Sequence, residues 1–308
     1  MSAATSAARS EADAGADAAA DEAAREARAE ELDKRKAAAP AAKKSVTVRK
    51  KAAPATGWHE FLIDVWITNF NFTEFGIYKR TRNRAKSRQF TVDMDVYAEV
   101  IENGERTGLI AYREDLWKKA DGLDRRLVFK LFSENLNWRA TMDLMLGRSI
   151  AQTIGARGLP VMTYSINTDE DNYMVYLERS ANKWPFMPEY FSFFLIDDKN
   201  QPEFFTLRRD IINLAGDYTL RDQTGQKVGY IDGKVFSIGG KWRGRVKAGH
   251  HADKRLLTVM KLFGGLMIFN KDCRRHMKDL YRQVRTGKVE VKLERQEGEL
   301  YINPRRVR

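Results

Sequence analysis

Cysteine is almost missing from this chain: Cys273 is the only one in 308 residues. One thiol excludes an intramolecular disulfide and any cysteine-built zinc cage, a usage that fits a reducing compartment. Histidine is scarce as well, limited to His59, His250, His251 and His276. The adjacent pair lies in a Lys- and Gly-rich stretch with no carboxylate at helical ligand spacing, so a surface loop is expected there and no metal site. No Gly-x-Ser-x-Gly elbow occurs, and Cys273 sits on an apolar stripe where a packed thiol is expected. Gly229 to Lys234 and Gly239 to Lys241 lack Walker spacing and a following Ser or Thr, and read as hairpin turns. The Asp169-Glu170-Asp171-Asn172 cluster lacks the glycine and distal glutamate of an EF-hand loop. No catalytic residue, metal ligand or cofactor is therefore assigned, and no enzyme is expected.

Long apolar runs are also absent. The best candidate, Leu256 to Phe269, has fourteen residues with Lys261 inside it, short of the ~20 that cross a bilayer, so a buried core helix is expected and no transmembrane span. The N-terminus shows no basic segment followed by an apolar one, and it is too acidic for a mitochondrial leader. A cytoplasmic location is expected, peripheral to a membrane if the lipid reading below holds.

What is present divides the chain in two. Residues 1–56 are Ala-rich with mixed charges, Pro40 and Pro54. This composition buries too little apolar surface to offset ordering entropy and predicts a disordered tail. Residues 57–308 carry the aromatic and aliphatic content of one β-rich globular domain. From Lys241 to Arg308 there are 19 Lys and Arg against 7 Asp and Glu, an excess equal to the formal +12 of the whole chain. The rear of the domain is thus the part expected to face a polyanion.

Phe61, Ile63, Val65 and Ile67 alternate as on a strand. An aromatic run, Phe70, Phe72, Phe75 and Tyr78, leads into Lys79, Arg80, Arg82, Arg84, Lys86 and Arg88 with no acid between these six cations. Strands are expected at Phe90 to Ile101 and Thr107 to Tyr112, joined by an Asn103-Gly104 turn that supplies positive φ. Leu136 to Ile154 reads as a helix from Trp138, Met142, Met145, Leu146, Ile150 and Ile154. Further strands are expected at Val161 to Ile166, Tyr173 to Glu178, Tyr190 to Ile196, Glu203 to Arg208, Asp217 to Asp222, Lys227 to Ile231 and Lys234 to Ile238. After the apolar helix, Lys271 to Arg285 is a basic amphipathic helix. Cys273, Met277, Leu280, Tyr281 and Val284 form one stripe, and Arg274, Arg275, Lys278, Arg282 and Arg285 crowd the other surface. A last hairpin is expected around Glu297-Gly298.

The stretch Gly216 to Trp242, GDYTLRDQTGQKVGYIDGKVFSIGGKW, pairs strands around an Asp222 to Gly225 turn. It resembles the repeating strand unit of the tubby-like superfamily, which includes phospholipid scramblases and LURP-one-related proteins. The resemblance implies a closed antiparallel barrel threaded by a hydrophobic helix, for which Leu256 to Phe269 is the counterpart. It further implies a scaffolding role or association with membrane surfaces or phosphoinositides, with no catalytic residues to transfer.

Two anion-binding patches emerge: Lys79 to Arg88 beside its aromatics, and Arg274, Arg275, Lys278, Arg282 and Arg285. In the first, aromatics enter a headgroup layer or stack on bases while cations hold phosphates. In the second, the apolar stripe either meets lipid or docks on the barrel, leaving the basic face for a partner. The leading expectation is a non-catalytic protein that binds anionic phospholipid. The alternatives are a nucleic-acid- or ribosome-associated protein and a subunit of a larger assembly whose tail folds on a protein partner.

Overall fold

The computed structural model describes residues 57–65, 89–91, 93–169, 174–181, 187–197, 199–210, 217–233, 240–250 and 253–290. The tail, the aromatic run with Lys79, Arg80, Arg82, Arg84, Lys86 and Arg88, the strand expected at Lys234 to Ile238 and the last hairpin lie outside the described residues.

The alternating Phe61, Ile63 and Val65 form β1 (Trp58–Val65). It is followed by β2 (Met94–Glu102), β3 (Glu105–Arg113), β4 (Val128–Ser133), β5 (Trp138–Leu144) and β6 (Met162–Thr168). The second half holds β7 (Val175–Arg179), β8 (Tyr190–Ile196), β9 (Pro202–Arg209), β10 (Tyr218–Arg221), β11 (Lys227–Gly233) and β12 (Lys241–Lys247). Each strand pairs antiparallel with its neighbours in sequence, and β1 pairs with β12 from Trp58↔Lys247 to Asp64↔Lys241, closing a barrel of twelve described strands. Closure satisfies every edge that an open sheet would leave exposed. Turn chemistry sets the register locally. Asn103 and Gly104 both take positive φ between β2 and β3. Between β10 and β11, Asp222 Oδ1 accepts from the Thr224 and Gln226 amides, each at 2.9 Å.

Side chains alone fill a barrel of about eight strands, whereas twelve enclose a wider lumen that must hold something else. Here it holds a helix. α1 (Leu146–Gly155) packs against β6 and against α2 (Lys254–Arg285), which runs through the barrel. Asp253 caps α2 by accepting from the Arg255 amide. Phe263 reaches one wall, its ring 5.0 Å from those of Phe191 and Tyr218. The facing side of the helix is Gly264 and Gly265, pressed against Ile63, Tyr97 and Ile110 of the opposite wall. A Cβ on Gly265 would lie 2.7 Å from Tyr97 Oη, and that ring is itself wedged between Tyr112 and Phe269. Gly265→Ala is therefore expected to destabilise the protein by about 1–3 kcal/mol through overpacking, despite the ~1 kcal/mol helix preference of alanine. Urea unfolding checks the sign, and a stabilised variant would show that the wall yields.

The sequence expectation of a helix over Leu136 to Ile154 is corrected. Residues 138–144 are β5, with Ala140, Met142 and Leu144 facing the lumen core, and the helix is confined to Leu146–Gly155. Trp138 and Met142 fit a three-to-four spacing and a twofold one equally well, and pairing with β4 and β6 decides for the strand. The two helices expected at Leu256 to Phe269 and Lys271 to Arg285 are one continuous helix of 32 residues. No described helix is long and apolar enough to cross a membrane.

Candidate anion-binding site

Because the strands alternate in direction, the ends of β1, β7 and β9 and the start of β2 share one end of the barrel, and the C-terminal half of α2 emerges there. Lys271, Arg274, Arg275 and Lys278 stand at i, i+3, i+4 and i+7, one stripe of that helix. The opposite stripe is buried: Cys273, Met277 and Leu280 belong to the main core. Of the two roles open to the apolar stripe, docking on the barrel is the one observed, and the basic stripe faces outward.

Between this stripe and the barrel rim lies a cleft of about 600 Å³. Among the described lining residues the cations are Arg179, Arg209, Lys271, Arg274, Arg275 and Lys278, the one carboxylate is Glu189, and Leu159, Pro160 and Met187 form an apolar lip. Met187 is 56% exposed. The carboxylate is already committed. Arg179 Nε donates to Glu189 Oε1 at 2.5 Å, the Tyr218 hydroxyl donates to Oε2 at 2.6 Å, and Asn270 Nδ2 lies 3.2 Å from both oxygens. Burial alone would raise the Glu189 carboxyl, but the Arg179 charge and the Tyr218 and Arg179 hydrogen bonds outweigh it and hold the group below the usual carboxylate range. Burial, reinforced by Glu189, raises Tyr218 well above the ordinary phenol value, so it remains a donor.

The remaining cations differ in how they are neutralised. Arg274 Nη1 stands 4.0 Å from Glu189, and its buried Nε donates to nothing among the described residues. Lys271 and Lys278 are exposed and form no ion pair among the described residues. Arg275 and Arg282 pair on the outer surface with Asp272 at 3.3 Å and Asp279 at 3.1 Å. Arg282 and Arg285 continue the stripe beyond the cleft without lining it. Of the expected helix residues, the structure thus gathers Arg274, Arg275 and Lys278 at the cleft. Sequence reasoning missed Lys271, which the i, i+7 spacing to Lys278 would have revealed. It also missed Arg179, Arg209 and Glu189, which only the fold brings there. Lys79, Arg80, Arg82, Arg84, Lys86 and Arg88 fall in the undescribed connection between Val65 and Met94.

Titratable groups outside the cleft are structural. Cys273 is fully buried and its thiol is pushed up to about 12 by burial, which makes it a core residue and a poor nucleophile. His250 lies 3.5 Å from Glu203, and Asp169 pairs with Arg139 at 2.8 Å. No group of three potential metal ligands occurs among the described residues. His276 donates from Nε2 to the Arg125 carbonyl at 2.9 Å and packs edge-on to Trp117. Burial lowers its pKa to about 4. The unfolded chain, titrating near 6.5, binds the extra proton first, so this contribution is complete above pH 6.5 and is lost as pH falls toward 4. Unfolding free energy should drop by about 2 kcal/mol between pH 7 and pH 5 from this group alone. Urea titrations of the wild type and His276→Gln check it: the variant should show less than half of that drop.

Comparison with protein-family models, with curated proteins and with solved structures finds no match to this chain.

Proposed function

We propose that this protein is a non-catalytic, tubby-like binding or scaffold protein that rests the basic end of its barrel on an anionic phospholipid surface at the cytoplasmic side of a membrane. The observation that carries the reading is the cleft beside α2, whose described lining sets six cations against one internally paired carboxylate and an apolar lip. A barrel closed around a central helix supports the tubby-like resemblance. Lys271, Arg274, Arg275 and Lys278 share one face, and each cation near an anionic leaflet contributes ~1 kcal/mol. Met187 and Leu159 supply small apolar contacts of the kind that enter a headgroup layer.

This arrangement favours lipid over nucleic acid. Single-stranded recognition combines cations with aromatic faces on which bases stack, and no aromatic side chain is among the described lining residues. Co-sedimentation with phosphatidylserine vesicles at low salt should pellet the protein, vesicles of phosphatidylcholine should not, and added salt should reverse the binding. Equal pelleting with both, or with neither, ends the lipid reading. An RNA gel shift in its place would select the nucleic-acid alternative.

A further inference from the structure

We infer that the cleft is a discrete pocket for a phosphate monoester, with Arg274 and Lys278 as its principal ligands and Glu189 as a fixed internal counter-ion. This rests on the anionic-surface reading and deepens it, because a flat basic face would select for charge density and this pocket selects for a chemical group.

The first argument is charge. One carboxylate faces six cations, and it is held by Arg179, Tyr218 and Asn270 on the barrel side. Glu189 therefore fixes Arg179 and orients the floor, while Arg274 shares that carboxylate only at 4.0 Å and Lys271 and Lys278 form no ion pair among the described residues. A phosphate diester brings one negative charge and two free oxygens. A monoester brings about −1.5 to −2 and three acceptor oxygens, the better match to several converging cations. The second is donor geometry. The Arg274 side chain is 34% exposed at the cleft, its Nη1 is too far from Glu189 for a hydrogen bond, and its Nε has no acceptor among the described residues. A guanidinium with an idle fork edge is suited to bidentate capture of a phosphate. The third is size and polarity. A volume of about 600 Å³ exceeds a bare phosphate, and the lip of Leu159, Pro160 and Met187 offers the rest of the molecule an apolar seat. The same monoester occurs on a lipid headgroup and on a soluble metabolite.

Vesicles doped with phosphatidic acid, a monoester, are compared with phosphatidylglycerol vesicles, a diester, at matched zeta potential. Glycerol 3-phosphate serves as the soluble monoester and dimethyl phosphate as the soluble diester. The expected result is half-maximal binding at a content of phosphatidic acid at least tenfold lower than that of phosphatidylglycerol, competition by glycerol 3-phosphate and none by dimethyl phosphate. Arg274→Ala should weaken phosphatidic acid binding at least tenfold. In Glu189→Gln, which leaves Arg179 short of a counter-charge, glycerol 3-phosphate should raise Tm by more than it does in wild type. If Glu189→Gln does not fold, the Arg274→Ala arm decides. Equal binding to both vesicles overturns the pocket and leaves the surface reading standing, whereas binding to neither vesicle together with no binding of glycerol 3-phosphate overturns both. Glycerol 3-phosphate binding with no vesicle binding would keep the pocket, remove the surface reading and make the ligand a soluble one.

Discussion

Arg179→Met is expected to cost about 3–5 kcal/mol of unfolding free energy, among the largest losses from a single substitution in this chain. The guanidinium is 5% exposed and the Glu189 carboxylate 4%. Arg179 also donates to the Pro160 carbonyl at 2.6 Å and to the Ser180 carbonyl at 3.2 Å, so it ties together β7, the segment before β6 and the segment before β8. Removing it leaves Glu189 buried with the neutral donors Tyr218 and Asn270 and only the more distant Arg274 charge, which is more costly than never having buried the pair. The double substitution Arg179→Met/Glu189→Leu should accordingly recover part of the loss, and a double-mutant cycle by urea unfolding should return a coupling of 1–3 kcal/mol. Additive losses would mean that the two groups act separately.

Phe263→Ala should cost a similar 3–5 kcal/mol, for a different reason. Phe263 is fully buried in the middle of α2 and joins the helix to β8 and β10 through Phe191 and Tyr218. The glycine pair holds the helix against the opposite wall, so the helix cannot slide over to close the gap. The space left is apolar and remains dry. Phe263→Leu should lose no more than half as much, measured in the same way. A loss under 1 kcal/mol for the alanine variant would mean that the helix does not depend on that wall.

The fold was legible where one residue pattern allowed one structure. β8 spans the expected Tyr190 to Ile196, because Phe191, Phe193 and Leu195 alternate with partly or fully exposed positions. β4 was not anticipated. Its Phe129 and Leu131 face the lumen core while Phe132 joins a second small core on the outer face with Phe90 and Leu109, so apolar residues fall on both sides and Lys130 alone marks an alternation. β12 escaped notice for the opposite reason. Lys241, Arg243, Arg245 and Lys247 alternate with Trp242, Gly244 and Val246, but four cations and a glycine in seven residues leave little apolar signal, and Gly244 belongs there because the Phe61 ring occupies the place of its side chain. The candidate site was half legible. A helical stripe shows in one segment of sequence, whereas Arg179, Glu189 and Arg209 meet that stripe only after the twelve described strands have closed around the helix. The six cations of Lys79 to Arg88 remain a sequence observation.

The most direct test of the central claim is vesicle binding by a protein whose stripe has been reversed in sign. Lys271→Glu/Lys278→Glu changes two exposed side chains that pair with no described residue, so the melting temperature should not move. Binding to phosphatidylserine vesicles should fall by about thirtyfold or more, from ~1 kcal/mol for each cation removed. Wild-type affinity in a folded variant would contradict the account and place the anion-binding surface elsewhere.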